Sequence, residues 1–447
     1  MTSASTRSFR PGYAAVVISQ HVISQQLTDA IAMSDPDLRL RIRPLGCCER
    51  FFHLYARAFP VHFCLVAEIE GAIGMSALRA ALEQVQSRHP ALRVCVIDDA
   101  DTGPAFYRTE TPIEVRVVPT RADVDWRAAV EDELNRPFDT DPGPLMRVAA
   151  LLGAGGASIV LTFHHAIADA LSGVHVLDDL MRALAGEHLD PLPLLPPVEA
   201  MIVAPDPQLA FALDRVSHVD IPARGREQMV QAPGESKAHI SVLEWDPLET
   251  AGLMQRCRVN GTTMHGAICA AASHHLPTSD ECIVRMHSPL DLRRIAGSET
   301  GDCGVLIGAG VVEIPTANRK PLWLDARDVV DRLREVRSPA MVAGMLQWMA
   351  AELPPTATAD KAAEFLAASQ PSSAVISNLG VLPLATDYGP MVLKAVWGPA
   401  ILTHPPADRQ TIGVSTFAGR LRMVHQSCKP IPGLLDAIRE TLRRSCV

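Results

Sequence analysis

The sequence predicts an α/β protein made of two similar halves. Apolar, strand-like runs alternate with segments whose apolar residues recur at helical spacing, first over residues 63–186 and again from residue 239. Residues 191–238 between them are rich in proline and polar residues, a composition typical of a connection. A chain of 447 residues is long enough for two domains of ordinary size.

Four segments are expected along the chain. Residues 1–36 have weak periodicity and are predicted to be an N-terminal extension, with Met33 as an alternative start of translation. Residues 37–190 form the predicted N-terminal half, residues 191–238 the linker and residues 239–447 the C-terminal half. Because ligand sites favour interfaces between domains, we expect the functional site between the halves.

The N-terminal half is predicted to run through two cycles of strands and helices. In the first cycle Ser76 is the candidate N-cap of a helix, and Pro90 stands near the end of that helix. The predicted strands are 63–71, 91–97, 144–152 and 158–164, and the predicted helices are 75–90, 125–134 and 173–186.

The C-terminal half restarts with a strand and two helices, of which the second is capped by Thr262 or Thr263. Further strands follow toward the end of the chain. The predicted elements are a strand at 239–245, helices at 247–260 and 262–275, and strands at 282–288, 304–313, 373–377, 391–397, 411–417 and 420–425.

The composition argues against several classes of partner. The formal net charge is −9 and no Lys/Arg cluster occurs, whereas nucleic acids and anionic membranes recruit such clusters. Only 4% of residues are aromatic, too few to suggest a platform that stacks bases. No apolar stretch reaches the roughly 18 residues of a membrane span. The ten scattered cysteines form no CxxC pair, so a reducing cytoplasm is the expected location.

The stretch "TFHHAIADALSG" (162–173) carries the candidate chemistry. A predicted strand runs out into two histidines, and Asp169 precedes the next predicted helix. A histidine at the end of a strand is suited to abstract a proton near neutral pH, with a carboxylate that fixes its tautomer or braces the loop. The alternative is that a histidine satisfies backbone groups and Asp169 simply caps the helix. The residues alone leave both interpretations open.

The motif and its surroundings resemble a known superfamily. His164, His165 and Asp169 form an HHxxxD pattern, and "LRAALEQVQSRHPALRV" (78–94) and "NRPFDTDPGPLMRVAALL" (135–152) accompany it in the first half. "SPLDLRR" (288–294) and "ISNLG" (376–380) follow in the second. This series, spread over about residues 38–440, is similar to the acyltransferases related to chloramphenicol acetyltransferase, including condensation domains, and most of all to the polyketide-associated branch. The DFGWG motif of the plant branch is missing.

The resemblance implies a fold and a set of site residues. It implies two chloramphenicol acetyltransferase-like α/β domains with mixed sheets and an active-site channel at their interface. His165 would be the general base, and Asp169 a structural partner joined by an ion pair to Arg293, with Arg294 a less favoured substitute. His164 would be a supporting residue, and Asn378 would lie near the interface and help to shape the site.

The resemblance also implies a reaction. An acyl group would move from a CoA or acyl-carrier-protein thioester to an alcohol, forming an ester, without cofactor, metal or acyl-enzyme. Ala170 stands where the family commonly has glycine. An alanine at this position would tighten the loop or mark an altered activity. Two alternatives stay open: a free-standing condensation enzyme that forms an amide, and a non-catalytic relative that binds an acyl chain or a carrier protein. Lipid or secondary-metabolite biosynthesis is the expected setting.

Two further histidine positions are predicted to be structural. "HHLPTSD" (274–280) also pairs two histidines, but its aspartate lies one position too far and it follows a helix. His265, inside the predicted 262–275 helix, is expected to be packed or to line the channel. No HExxH motif or Cys/His cluster suggests a metal.

Overall fold

The computed structural model describes residues 39–119, 125–202, 237–278, 282–298, 301–369, 372–402 and 408–445. Three features of the sequence analysis lie outside these described residues: the predicted extension at 1–36 with Met33, most of the predicted linker, and Asp280. The strands are β1 (Arg41–Pro44), β2 (Phe63–Glu70), β3 (Val94–Ile97), β4 (Ala105–Arg108), β5 (Glu114–Val117), β6 (Met146–Leu152), β7 (Gly156–Phe163), β8 (His239–Glu244), β9 (Ile283–Asp291), β10 (Ile307–Pro315), β11 (Ala374–Val381), β12 (Asp387–Tyr388), β13 (Met391–Ile401), β14 (Gln410–Phe417) and β15 (Arg420–Ser427).

The helices lie between and outside these strands, and a 3₁₀ turn occupies Pro90–Arg93. They are α1 (Cys47–Ala58), α2 (Met75–Arg88), α3 (Trp126–Leu134), α4 (Ala170–Leu184), α5 (Val198–Met201), α6 (Pro247–Val259), α7 (Met264–Ala272), α8 (Arg293–Ala296), α9 (Leu322–Val336), α10 (Pro339–Glu352), α11 (Ala359–Ser369) and α12 (Leu434–Arg444). None of the helices in the described ranges is long and apolar enough to cross a bilayer.

The first large sheet has the strand order β12-β13-β2-β7-β6-β5. All its neighbours are antiparallel except β5 and β6, so the sheet is mixed. Helices α2 and α4 pack together over one face, where alternate residues of β2, β6 and β7 form the core. This alternation is the period expected of strands that bury one face against helices.

The second large sheet has the order β10-β9-β11-β14-β15-β8 and is also mixed, because β11 pairs in parallel with both β9 and β14. Helices α7, α9 and α12 pack beside one another over it. A small third sheet, β1-β4-β3, belongs to the N-terminal segment. The predicted α/β class with two mixed sheets is therefore confirmed.

The sheets do not divide cleanly at residue 239. Strands β12 and β13 come from the C-terminal segment but pair at the edge of the N-terminal sheet, with β13 against β2. Strand β13 also packs on β14 of the other sheet, where a Cβ at Gly413 would overlap the carbonyl group of Pro399. Glycine at this position permits the close backbone approach that joins the two sheets. A prediction based on chain order alone could not show this exchange.

Most predicted elements occur within a few residues of their expected bounds, and two details of capping can be compared. Thr263 is the N-cap of α7, and its hydroxyl accepts a hydrogen bond from the Gly266 backbone, as predicted. Ser76 is not the cap of α2: the cap position is Gly74, which has no side chain to offer. The helix predicted at 173–186 begins three residues earlier, at Ala170, because Asp169 is its N-cap. The apolar periodicity alone did not indicate this start.

Candidate active site

His165 lies in the short loop between β7 and α4, where the two halves meet. Its side chain is buried, with 6% of the residue exposed, and it lines a cavity of about 310 Å³. The imidazole ring stacks on the ring of Phe52, with centroids 3.9 Å apart and planes 1° apart. The edge of the Phe63 ring approaches it from another side at 5.2 Å. The imidazole orientation is therefore set mainly by aromatic packing.

The cavity has walls from both halves of the chain. Helix α1, the start of β2 and Ala170 of α4 supply one side, and β9, β10, β11 and α10 with α11 supply the other. Most of the lining is apolar, and its large side chains include Phe51, Phe52, Phe63, Met345, Trp348 and Phe365. A concave, mostly apolar space with a few polar groups is the usual form of a small-molecule site.

Burial sets the protonation state of His165. Removal of the ring from water lowers the pKa of His165 to about 4, and the negative charge of Asp169 opposes this shift only in part. The ring atom Nδ1 is buried and has no hydrogen-bond partner among the described residues. The imidazole is therefore neutral at pH 7 and has a lone pair available to accept a proton.

The Asp169 carboxylate is fully committed to structural contacts. One oxygen accepts from Arg293 Nη2 at 2.7 Å and from the Ser172 backbone at 2.8 Å. The other accepts from Arg293 Nη1 at 3.0 Å and from the Leu306 backbone at 2.9 Å. Burial alone would raise the pKa of Asp169, but the charge and hydrogen bonds of Arg293 outweigh it and hold that pKa below its usual value. Asp169 thus caps α4 and also forms an ion pair with Arg293 of the C-terminal half.

The two roles first considered for Asp169 are therefore not exclusive. Within the described residues, the hydrogen bonds of its carboxylate go to Arg293 and to two backbone amides, with none to the ring of His165. A tautomer-fixing hydrogen bond from Asp169 to His165 is not found. The neighbouring Arg294 is exposed and does not take the place of Arg293.

Ser172 is a buried connection that the sequence analysis missed. Its hydroxyl donates to the Gly304 carbonyl at 2.8 Å and accepts from the Gly304 backbone at 3.0 Å and from Arg293 Nη2 at 2.8 Å. These contacts hold the start of α4 against the segment that leads into β10. No local pattern could reveal them, because Ser172 and Gly304 lie far apart in the chain.

His164 and Asn378 lie near the site but not at its wall. Nδ1 of His164 accepts from the Ala166 backbone at 3.1 Å, and burial lowers the pKa of His164 well below its usual value, so the ring is a neutral brace of the loop. Asn378 is half-buried, and its side-chain oxygen accepts from the Gly380 backbone at 2.8 Å. The adjacent Ser377, rather than Asn378, lines the cavity.

His265 is packed inside the C-terminal half. Its Nε2 lies 2.9 Å from the hydroxyl oxygen of Ser288, and burial lowers the pKa of His265 to about 4. It does not belong to the lining of the 310 Å³ cavity. His265 was expected either to be packed or to line the channel, and the structure shows that it is packed.

Phe52 is the site residue that sequence reasoning missed most clearly. It belongs to α1, which was not predicted as a helix, although Phe51, Leu54 and Tyr55 recur at helical spacing in "CCERFFHLYARA" (47–58). Helix α1 packs against α10 and α11 of the C-terminal segment, which brings the Phe52 ring over His165. The helical spacing of the apolar residues was enough to predict the helix, but it could not predict that Phe52 contacts His165.

Ala170 occupies a position that needs no glycine. It is the first residue of α4, it is not among the residues with positive φ, and it lines the cavity next to His165. We expect Ala170→Gly to lower the free energy of unfolding by up to about 1 kcal/mol, because glycine gains more backbone freedom in the unfolded chain. Urea unfolding measures this change. A glycine variant more stable than the natural chain would reveal backbone strain at this position.

Part of the chain is similar in sequence to known proteins. Residues 56–199 match the sequence model of the condensation domain family. The hybrid PKS-NRPS synthetase thnA of Trichoderma harzianum is 31% identical over 129 residues, which is 28% of this chain and 3% of that protein. Tyrocidine synthase 3 of Brevibacillus parabrevis is 28% identical over 128 residues, which is 28% of this chain and 2% of that protein. The chain thus spans only a small fraction of these synthetases.

Solved structures extend the likeness to nearly the whole chain. Polyketide synthase associated protein 5 from Mycobacterium tuberculosis has a TM-score of 0.65 at 19% identity, covering 90% of this chain and 98% of its own. TRI3 trichothecene 15-O-acetyltransferase from Fusarium sporotrichioides has a TM-score of 0.68 at 14% identity, covering 91% and 95%. The first condensation domain of the CDA synthetase has a TM-score of 0.62 at 15% identity, also covering 91% and 95%. The resemblance inferred from the sequence is confirmed: the chain has the two-domain fold of condensation domains and chloramphenicol acetyltransferase-like acyltransferases, and its residues 56–199 match the sequence model of the condensation domain.

Proposed function

We propose that this protein is an acyltransferase that moves an acyl group from a CoA or acyl-carrier-protein thioester to an alcohol, with His165 as general base. The observation that carries the proposal is a neutral imidazole at the wall of an apolar cavity between two halves of this fold. The O-acetyltransferase named among the similar structures supports transfer to oxygen. The peptide synthetases among the sequence relatives support the alternative acceptor, an amine.

The proposed reaction proceeds in one exchange at the thioester carbonyl. The His165 imidazole takes the proton of the acceptor hydroxyl as its oxygen attacks, and an oxygen–carbon bond forms. The carbon–sulfur bond then breaks, and the leaving thiolate takes up the proton that His165 holds. A well-placed base contributes about 10²–10⁴-fold, and the positioning of both substrates in the cavity contributes a further large factor.

The cavity supports an apolar acyl group. Its walls are mainly aromatic and aliphatic, so a hydrocarbon chain would be removed from water on binding. We therefore expect thioesters with hydrocarbon chains to be better donors than those with short or polar acyl groups.

The test is the release of free thiol from acyl-CoAs of graded length, with pooled alcohols and amines as acceptors. Mass spectrometry of the products identifies an ester or an amide. Release that depends on an acceptor and is lost in His165→Ala would support the proposal. Release that survives this substitution would place the chemistry elsewhere. If acyl-CoAs and carrier-bound donors both bind without turnover, the chain is a binding protein rather than an enzyme.

The pH dependence of the rate tests the state of His165. Since the pKa of His165 is lowered to about 4, we expect kcat/KM to be level from pH 8 to about pH 5.5 and to fall only near pH 4. An acid limb near the ordinary histidine value of about 6.5 would contradict the buried, neutral base.

Folding stability must be followed in the same experiment. In the unfolded chain His165 takes up a proton near pH 6.5, whereas in the folded chain it does so only near pH 4. This contribution to stability is complete above pH 6.5 and is lost as the pH falls toward 4. Rates are therefore compared only where the tryptophan fluorescence remains native.

A further inference from the structure

A second polar feature of the cavity is a buried arginine without an acidic partner. Arg409 precedes β14, is 7% exposed and lines the same cavity as His165. Among the described residues its one hydrogen bond runs from Nε to the Ser372 carbonyl at 3.2 Å. No carboxylate in this part of the chain forms an ion pair with it, and Asp408, which acts on it electrostatically, is exposed to solvent. The other four N–H donors of Arg409 therefore have no acceptor among the described residues.

Other buried arginines of this protein are better satisfied. Arg147 pairs with Glu133, and Arg422 pairs with Glu244 at 2.7 Å. Arg50 forms no ion pair with the residues that the structure describes, but it donates to two backbone carbonyls, at 2.8 and 2.9 Å. A buried guanidinium without such partners is unfavourable for folding, so its presence in a ligand cavity indicates a role toward a ligand.

The hydroxyl group of Tyr55 provides a second unused donor. Tyr55 is 1% exposed, lines the cavity, and its buried hydroxyl has no hydrogen-bond partner in the described part of the chain. Tyr55 and Arg409 both line this one cavity, so a single ligand in it can meet both groups. Burial raises the pKa of Tyr55, so the phenol remains a neutral donor at pH 7.

The chemistry of these two donors selects the ligand. A carboxylate carries one negative charge and two acceptor oxygens, which matches one guanidinium and one phenol. The surrounding walls are apolar, so the carboxylate must be attached to an apolar body that fills the rest of the cavity. We infer that Arg409 and Tyr55 form a carboxylate-binding subsite, and that one of the two substrates carries a free carboxylate. The identity of the reaction rests on the proposed function, whereas binding at the subsite does not.

Calorimetric titration with decanoate tests the binding, with decan-1-ol as the uncharged probe. We expect Arg409→Gln to weaken decanoate at least tenfold and Tyr55→Phe to weaken it several-fold, with decan-1-ol unchanged in both. Arg332→Gln is the matched control, because it removes the same charge from an exposed position on the cavity lining. An equal loss in this control, or an equal loss for both probes, would overturn the subsite. His165→Ala is expected to retain decanoate binding.

The thermal stability of the free protein separates this role from a purely structural one. We expect Arg409→Gln to have the same Tm as the natural chain or a higher one, and to lose the rise in Tm that decanoate causes. Arg409→Lys, which keeps the charge, is expected to recover part of the decanoate binding. A lowered Tm in Arg409→Gln, together with weaker binding of both probes, would show that Arg409 only supports the fold.

Turnover assays identify which substrate carries the carboxylate. One arm compares thioesters of dicarboxylic acids with simple acyl-CoAs, and the other compares hydroxy acids and amino acids with simple alcohols and amines. We expect a preference for the carboxylate form in one arm, and its loss in Arg409→Gln. If decanoate binding depends on Arg409 while no pair turns over, the subsite stands and the proposed function fails. Turnover without preference in either arm would overturn the substrate assignment.

Discussion

Replacement of His165 by alanine is expected to lower turnover by about 10²–10⁴-fold while the protein remains folded. The substitution removes one of the two histidines, His165 and His287 on β9, that line the cavity in the described structure. The ring of His165 is held mainly by stacking on Phe52 and by the edge of Phe63. Its loss should therefore cost mainly packing energy.

The measurement is acceptor-dependent thiol release, with circular dichroism as the check on folding. His287→Ala is the matched control, because it removes another histidine from the same cavity lining. We expect this control to change KM more than kcat. A His287→Ala variant without turnover, next to an active His165→Ala variant, would reverse the assignment of the base.

Replacement of Asp169 by alanine is expected to lower the free energy of unfolding by about 3–5 kcal/mol. The carboxylate and the Arg293 guanidinium are both buried and are joined by two hydrogen bonds of 2.7 and 3.0 Å. Among the described residues, alanine would leave the buried Arg293 paired only with the largely exposed Asp291, at 3.1 Å, so its charge would be poorly compensated. The variant would also lose the N-cap of α4 and the acceptor for the Leu306 backbone.

Urea unfolding measures this loss, and a double-mutant cycle assigns its cause. If the uncompensated charge dominates, Asp169→Ala combined with Arg293→Met should be more stable than Asp169→Ala alone. Asp169→Asn is the milder variant, because its side-chain oxygen still caps α4. A fully folded and equally stable Asp169→Ala protein that has lost only turnover would contradict the structural role.

The cavity and the ion pair depend on each other. Asp169 and Ser172 at the start of α4 bind Arg293, Gly304 and Leu306, which lead into or flank β10. Strand β10 supplies residues 307–311 of the cavity wall opposite His165. The contacts that hold the loop of His165 therefore also hold the far wall at a set distance. Loss of Asp169 is expected to affect both stability and rate.

Local patterns were sufficient for much of the fold. Alternation predicted β2, β7, β14 and β15, and helical periodicity predicted α2, α3 and α6, because the side chains of a strand or an amphipathic helix report directly which face is buried. The same reasoning failed for α9 and α11, which went unpredicted although each has an apolar face, and for α10, which is apolar without a clear face. Their residues cover the C-terminal sheet and α1. No capping side-chain hydrogen bond marks the start of α9 or α10, whereas Thr358 caps α11 by accepting from the Lys361 backbone at 3.2 Å.

By itself, the sequence determined the α/β class, most strands and helices, the loop with His165 and Asp169 at the end of β7, and, through the family resemblance, Arg293 as the partner of Asp169. Only the tertiary structure decided that β13 joins the N-terminal sheet, that Phe52 lies on His165, and that Arg409 and Tyr55 line one cavity. The physical reason is the range of the interactions. Periodicity and capping act between residues a few positions apart, whereas these contacts join residues more than a hundred positions apart and exist only after the two halves have packed.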